Sequence, residues 1–199
     1  RHVFRRLKIN AATVEGESFH RLSRTKMIEE LDKAVSEGNP HFSHFGPEAN
    51  LFAELEELFR CYGENGTGQR RQYLHSQAAV DQAGIAGLKP GDFTPWEALP
   101  EKSDMLFYQG LHGCVVTEDA DVAQYVDLKL GIVPIINMEW IQKIHRDTNQ
   151  RGYSEQAVID TILRRMHEYV HYLIPQFQLT DINFQLVPTV DTSDPFFAT

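Results

Sequence analysis

Acidic and basic side chains that could bind an anionic substrate follow the first predicted strand. Glu17, His20 and Arg24 come directly after an apolar run at residues 11–15. In open α/β sheets, ligands bind at the carboxyl ends of the strands. A carboxylate at that position can accept a proton, while an imidazole and a guanidinium can hold an anion. A helix start with solvated charges has the same composition, so this segment alone leaves both interpretations open.

A second group of charges, further along the chain, has the spacing of one helix face. Lys143, Arg146 and Asp147 are three and four residues apart, and Arg151 follows just before Gly152. Guanidinium groups bind phosphate oxygens in a bidentate manner. The pattern is typical of a lid that brings cations to a phosphoryl group during its transfer. A solvated basic helix end is the alternative interpretation.

A third segment ends an apolar strand with a polar residue and glycine. In residues 106–113 (LFYQGLHG), Gln109 occupies the place where many nucleotide-phosphate enzymes carry a metal-associated acid. The amide of Gln109 is uncharged, which weakens that interpretation. The glycines at 63–68 are followed neither by Lys-Ser or Lys-Thr nor by a predicted helix. The sequence therefore contains no Walker A phosphate loop.

The segment His167-Glu168-Tyr169-Val170-His171 matches the H-E-x-x-H zinc motif on a predicted helix. Two histidines four residues apart can chelate Zn²⁺, with the glutamate as a base. A zinc peptidase needs a third ligand, and the predicted helix ends at Pro175 without one. Partly buried structural histidines are favoured, and a zinc peptidase is the weaker alternative.

Hydrophobic periodicity predicts the elements that position these residues. Predicted helices end near residue 8 and cover 24–36, 47–62, 138–148 and 154–174. Predicted strands cover 11–15, 71–75, 105–108, 126–137 and 182–190. Residues 80–103 are predicted to be a long surface excursion, and 126–137 a central strand covered on both faces. Strands that alternate with helices predict an α/β layered domain with a largely parallel sheet.

Composition narrows the class of protein. The chain has 19 basic and 28 acidic residues and a net charge of −9, which argues against nucleic-acid binding through a general basic surface. No apolar run is long enough for a transmembrane helix. We interpret Cys61 and Cys114 as free, buried thiols of a cytosolic protein. The first residue is Arg1 and the last ones are not a polar tail, so we expect one domain, 1–199, truncated at both ends.

Several segments together resemble a known family. They are VEGESFHR (14–21), HFSHFGPEAN (41–50), LFYQGLHG (106–113), DLKLGIVPIINMEWIQKIHRD (127–147) and VPTVDTSDPF (187–196). They resemble the bacterial-type members of the phosphoribulokinase family of P-loop kinases, which is related to uridine kinase. The resemblance implies a P-loop kinase-like layered sheet with flanking helices. It also implies that the first strand and the phosphate loop lie upstream of Arg1.

The resemblance implies a reaction and roles for individual residues. The reaction is the ATP- and Mg²⁺-dependent phosphorylation of ribulose 5-phosphate at its 1-hydroxyl, in the Calvin cycle. Glu17 stands where the family has an aspartate as catalytic base, and Lys143 and Asp147 stand at further catalytic positions. Asp147 would also lie near the metal. Substrate-binding positions are occupied by His20, Arg24, Tyr73, His75, Arg146 and Arg151.

Two further positions follow from the resemblance. Gln109 stands where the family has a glutamate associated with the Mg²⁺ of the ATP complex. Arg6 stands where bacterial members carry an arginine linked to allosteric control by NADH. The family also suggests a homo-oligomer, either a dimer or an octamer. Because Gln109 and Glu17 depart from the family pattern, a non-catalytic relative that binds sugar phosphates is the alternative function.

Overall fold

The computed structural model describes residues 2–133, 135–189, 191–194 and 196. Its helices are α1 (His2–Leu7), α2 (Arg24–Ser36), α3 (Phe52–Asn65), α4 (Gln77–Ala83), α5 (Ile136–Arg151) and α6 (Glu155–Glu168). Its strands are β1 (Ala11–Glu15), β2 (Gln69–Arg70), β3 (Glu97–Ala98), β4 (Met105–Gln109), β5 (Leu130–Val133) and β6 (Ile182–Gln185). A π-helical turn, Tyr169–Leu173, continues α6 directly. None of the helices in the described ranges has the length and apolar character needed to cross a membrane.

The described strands form three pairs. β1 runs parallel to β4, and the register places Glu15 opposite Gln109. β5 runs parallel to β6, with Leu130 opposite Ile182. The short strands β2 and β3 are antiparallel. Parallel strands with flanking helices confirm the predicted α/β class.

The hydrophobic core lies between β1 and α3. Ala12 and Val14 are buried because alternate residues of a strand point to the same face. They share one cluster with Leu55, Leu58 and Phe59, which form the apolar stripe of α3. This packing fixes the carboxyl end of β1, where the first candidate residues follow.

The predicted helix at 47–62 is divided in two. A 3-10 turn covers Pro47–Ala49, and α3 begins only at Phe52. Asn50 is extended and buried, and its side-chain amide donates to the carbonyl oxygens of His44 and Gly46. Since these bonds tie Asn50 to the preceding loop, the helix cannot run through it.

The region from 69 to 103 contains less strand and more helix than predicted. In place of a strand at 71–75, β2 covers only two residues, and Tyr73 forms an isolated bridge with Phe93. The predicted surface excursion, 80–103, begins within the last residues of α4, a helix with Ser76 as its N-cap, and it contains β3. The Ser76 hydroxyl accepts from the backbone N–H of Ala79, as N-cap residues commonly do.

The prediction of a central strand covered on both faces is wrong for β5. The strand covers four residues, and Leu130 and Ile132 are 50% and 59% exposed. Among the described residues no strand pairs with its second edge, and of the four residues of β5 only Gly131 is buried. The late strand β6 is also shorter than predicted, and the last predicted residue, Val190, lies outside the described residues.

The two cysteines have different surroundings. Cys114 is free and buried, as predicted. Cys61 is free but only partly buried, so the prediction of burial was wrong for it. Its thiol donates to Glu57 on the polar side of α3.

Candidate functional site

The carboxyl ends of β1 and β4 lie very close together. A Cβ atom on Gly16 would lie 2.7 Å from the Cα of Gly110 and equally close to the Tyr108 hydroxyl. Only glycine permits this approach of the two strand ends. Glu17 therefore leaves β1 beside the end of β4, where the Gln109 side chain is exposed.

Glu17 and His75 form the acid–imidazole pair of the site. The Glu17 Oε2 atom lies 3.5 Å from His75 Nε2, and both side chains are about half exposed. Arg24 approaches the same place, because its guanidinium donates to the His75 carbonyl oxygen at 3.1 Å. The backbone N–H of Arg24 donates to Gly91, which fixes the start of α2. A carboxylate next to an imidazole and open to solvent can accept a proton from a bound hydroxyl.

Aromatic rings pack beside the Glu17–His75 pair. The Tyr73 ring centroid lies 4.8 Å from that of His75 and 6.3 Å from that of His20. Burial, with smaller contributions from His75 and Arg71, lowers the pKa of His20 to about 4 from its ordinary 6.5. His20 is therefore a neutral imidazole near pH 7, and it can donate or accept a hydrogen bond without adding charge.

Arg71 holds the segment that carries His20, a role that was not predicted from the sequence. Its guanidinium donates to the carbonyl oxygens of Ser18 (2.9 Å) and His20 (2.5 Å), and the Ser18 hydroxyl donates back to the Arg71 carbonyl. The guanidinium also lies 3.8 Å from the centroid of the Phe93 ring. These contacts join segments about fifty residues apart, so no local spacing predicts them. We call the group Glu17, His20, Arg24, Tyr73 and His75 the acid–imidazole cluster.

Asp147 gathers the cations of α5. Its carboxylate is 4% exposed and accepts from Lys143 through Oδ2 and from Arg146 and Arg151 through Oδ1, at 2.9 and 3.0 Å. Burial alone would raise the pKa of Asp147, but the hydrogen bonds from Lys143 and Arg146 outweigh it and hold the pKa below its usual range. We call these four residues the cation cluster. Its three positive groups face one carboxylate, so the cluster carries excess positive charge.

Helix α5 ends directly after the last residue of the cation cluster, Arg151. Gly152 has φ 73° and donates to the Asp147 carbonyl oxygen, which closes the helix directly after Arg151. The predicted helix at 138–148 extends further, so all four residues of the cation cluster lie on α5 itself.

Arg165 and His44 lie between the two clusters, and neither was predicted from the sequence. Burial lowers the pKa of Arg165 to about 10, and its Nε atom is buried without a hydrogen-bond partner. Asp147 contributes to its electrostatic environment, as do Arg164 and Glu168. The His44 ring stacks on His20 at 5.9 Å. An arginine on α6 and a histidine in a loop gave no shared spacing that could have revealed this arrangement.

The H-E-x-x-H segment has a structural role. Glu168 is buried and accepts a 2.6 Å hydrogen bond from the Ser43 hydroxyl, so it faces the interior. His167 and His171 are exposed, so the prediction of partly buried histidines was wrong, and their rings stack at 5.9 Å. Within the described residues, no group of three His, Cys, Asp or Glu side chains could hold a metal ion. The zinc alternative therefore has no support in this geometry.

Arg6 lies apart from the two clusters. It is exposed near the end of α1, a helix that contacts β4 through the edge of Phe4 against Phe107. The structure thus brings together nine of the predicted site residues in two clusters and leaves Gln109 at a strand end and Arg6 on a separate helix.

Comparisons with known proteins identify the family of this chain. The sequence profile of the Phosphoribulokinase / Uridine kinase family matches residues 1–193. A phosphoribulokinase of Nitrobacter vulgaris is 59% identical over 196 residues, covering 98% of this chain and 67% of the relative. The chromosomal phosphoribulokinase of Cupriavidus necator is 55% identical over 197 residues, covering 99% of this chain and 66% of the relative. The chain thus spans about two thirds of the length of the curated relatives that it matches.

Solved structures give the same result. The phosphoribulokinase from Rhodobacter spheroides superposes with a TM-score of 0.88 at 51% identity, covering 99% of this chain and 67% of that one. A putative fructose transport system kinase from Silicibacter, at 13% identity and a TM-score of 0.60, shares the fold. The predicted resemblance and fold are confirmed, and the chain belongs to the Phosphoribulokinase / Uridine kinase family.

Proposed function

We propose that this chain carries the substrate-binding and proton-transfer centre of a phosphoribulokinase. The reaction is transfer of the γ-phosphoryl group of ATP to the 1-hydroxyl of ribulose 5-phosphate, which gives ribulose 1,5-bisphosphate for the Calvin cycle. The observation that carries the proposal is the pairing of Glu17 with His75 at the carboxyl end of β1. The names of the relatives, at 53–59% identity, support the choice of substrate.

Glu17 is the base in this proposal. As the 1-hydroxyl oxygen attacks the γ-phosphorus, its proton passes to the Glu17 carboxylate and the bond to the leaving ADP oxygen breaks. His75 lies 3.5 Å away and can orient the carboxylate. Neutral His20 and Tyr73 offer hydrogen bonds to the sugar, while Arg24 supplies positive charge for its phosphate.

The cation cluster serves the transferring phosphoryl group. Lys143, Arg146 and Arg151 neutralise negative charge that spreads over the phosphoryl oxygens. Asp147 holds the three cations close together before substrate arrives. The side chains of Arg146 and Arg151 are 47% and 52% exposed, so they can turn from Asp147 towards a phosphate.

The Mg²⁺ that accompanies ATP in kinases fits Asp147 only in part. A carboxylate oxygen is the ligand that Mg²⁺ prefers. Both oxygens of Asp147, however, already accept hydrogen bonds from cations. A metal role for Asp147 therefore requires that one cation leaves, whereas the exposed amide oxygen of Gln109 needs no such change. When bound, Mg²⁺ would supply charge neutralisation to the phosphoryl group.

Further features of the proposal depend on the family more than on this geometry. Arg6, exposed on α1, is proposed to respond to NADH. A homo-oligomer is proposed as the working form. A cytoplasmic location is proposed, supported by the two free cysteines.

The test is ribulose 5-phosphate-dependent ADP formation by the intact gene product, with Gln109→Glu assayed beside it. We expect turnover in the parent and an increase in the variant, because a charged ligand holds Mg²⁺ better than an amide does. Turnover in the variant alone would show that Gln109 lacks a contact with Mg²⁺ that a glutamate at this position supplies. Binding of ribulose 5-phosphate without turnover in either protein would contradict the proposal and favour a sugar-phosphate-binding protein.

A further inference from the structure

The loop at residues 41–50 is anchored by α6. The Ser43 hydroxyl donates to the buried Glu168 carboxylate at 2.6 Å, and the guanidinium of Arg164 donates to the Phe42 carbonyl oxygen at 2.6 Å. Burial raises the pKa of Glu168, even though the bond from Ser43 opposes this shift. The loop therefore carries its side chains at fixed positions.

His44 is held at the centre of this loop. Its carbonyl oxygen accepts from the buried amide of Asn50 at 3.0 Å, and the same amide donates to Gly46 at 2.7 Å. The His44 ring stacks on the His20 ring, with centroids 5.9 Å apart and an angle of 27° between the planes. Its neighbour Phe45 packs edge-on against Tyr169 of the π-helical turn. Three parts of the chain thus define where the His44 ring lies.

Cationic side chains also act on His44. Arg165 and Arg164 interact with it electrostatically from α6 and Lys143 does so from α5, while His20 stacks on it from the end of β1. Burial first, and then these neighbours, hold the pKa of His44 well below its usual range. The His44 ring is therefore neutral near pH 7 and packs against His20 without adding a charge of its own.

We propose that His44 is a positioning residue of the sugar-phosphate site, whose ring packs against the His20 imidazole and keeps it beside Tyr73. The assignment rests on the proposed function of that site. His44 itself touches no reacting atom in this proposal. Its loss lets His20 move and lets water reach it, which weakens the contacts that His20 makes with the sugar phosphate.

The experiment compares three variants of the intact gene product: His44→Ala, His44→Phe and His41→Ala. His44→Ala removes the ring, and His44→Phe keeps a ring of similar size. His41→Ala is the matched control, because His41 belongs to the same loop but is exposed and stacks on His167 instead. Each protein is characterised by its melting temperature, by kcat and by KM for both substrates. The imidazole pKa of His20 is followed by NMR.

We expect His44→Ala to lower kcat/KM for ribulose 5-phosphate by about 10- to 100-fold, since small misplacements of binding groups have effects of this size. The KM for ATP should stay unchanged. The pKa of His20 should rise from about 4 towards 6.5, because water reaches the ring. His44→Phe should retain most of the parent kcat/KM and the low pKa of His20. His41→Ala should match the parent in every measurement.

Parent-like kinetics and a parent-like His20 titration in His44→Ala would overturn the assignment. An equal loss in His41→Ala would also overturn it, because the effect would then come from the loop as a whole. If His44→Ala does not fold, His44→Gln is judged by the same criteria. Absence of turnover in the parent would contradict the proposed function alone, while the His20 titration would still decide whether His44 shields that ring.

Discussion

Two pairs of parallel strands, β1–β4 and β5–β6, have the same topology but different surroundings. Ala12 and Val14 of β1 are 0% and 1% exposed, whereas Ile132 of β5 and Phe184 of β6 are 59% and 54% exposed. Parallel strands normally have covered faces, and α3 supplies that cover for β1. Since β5 leads directly into α5, the two clusters lie in differently covered parts of the molecule. We call β1, β4 and α3 with the acid–imidazole cluster the first region, and β5, β6 and α5 with the cation cluster the second region.

The acid–imidazole cluster depends on packing, and the cation cluster depends on charge. Glu17 and His20 follow a strand whose residues lie in the main core. Arg146 and Arg151 are about half exposed and are oriented by their ion pairs with Asp147. Each of these pairs joins a half-exposed guanidinium to the buried Asp147 carboxylate, which still accepts from Lys143 when one arginine turns away. The backbone that carries Glu17 and His20 is therefore held by the core, whereas the guanidinium groups of Arg146 and Arg151 can turn away from Asp147.

The largest expected effect is on stability and is confined to the first region. Leu55→Ala should lower the free energy of unfolding by about 2–5 kcal/mol, because Leu55 is 1% exposed and its truncation leaves a cavity. The matched variant Leu130→Ala, on β5, should change it by about 0.5 kcal/mol or less, since Leu130 is half exposed. Urea unfolding of the intact gene product measures both. Equal losses in the two variants would show that β5 is as well covered as β1.

The same contrast explains how much the sequence could predict. β1 was predicted with its observed bounds, because alternating burial leaves a clear pattern in five residues. The bounds of α2 were also correct, because an N-cap serine precedes a regular helix. β5 was predicted too long and too buried, because a run of Val and Ile reports apolar character and not what covers it.

In the site, too, local geometry could be predicted from the sequence and contacts between distant segments could not. Helix spacing correctly placed Lys143, Arg146 and Asp147 on one face, because local periodicity determines that geometry. Arg71 and Arg165 were missed because their contacts join distant segments or depend on burial. No arrangement of neighbours along the chain carries that information.

The next effect is on catalysis and is expected in the second region. Arg146→Ala and Arg151→Ala should each lower kcat by about 10²-fold, a typical cost of removing one group that stabilises transition-state charge. The melting temperature should change little, because both side chains are about half exposed. Steady-state kinetics and thermal unfolding measure the two quantities on the same samples.

Arg60→Ala is the matched control for these arginine variants. Arg60 lies on α3 and pairs with Glu57 and Glu64 at the surface, so its removal should leave kcat unchanged. Parent-like kcat in Arg146→Ala and Arg151→Ala would contradict the role of the cation cluster. A large loss of stability in these two variants would instead show that the second region, like the first, depends on these side chains for its folding.

The smallest expected effect is a pH dependence that separates the two regions. The pKa of His20 is about 4 in the folded protein and 6.5 ordinarily, so between these values the unfolded chain binds a proton that the folded one does not. Stability should therefore fall as the pH falls from 6.5 to 4.5, by about 2 kcal/mol for this group. Asp147 has a pKa below its ordinary 3.8, so its contribution is present throughout this window and is lost only at lower pH.

Urea unfolding at pH 6.5 and pH 4.5 tests this separation in the parent, His20→Asn and Asp147→Asn. His20→Asn should lose less stability than the parent between the two pH values, since it lacks the group whose protonation favours unfolding. Asp147→Asn should lose as much as the parent, because Asp147 stays ionised in both states across most of this range. If Asp147→Asn loses less stability than the parent while His20→Asn loses as much as the parent, the acid-sensitive group belongs to the cation cluster. The buried ring would then not be what makes the first region sensitive to acid.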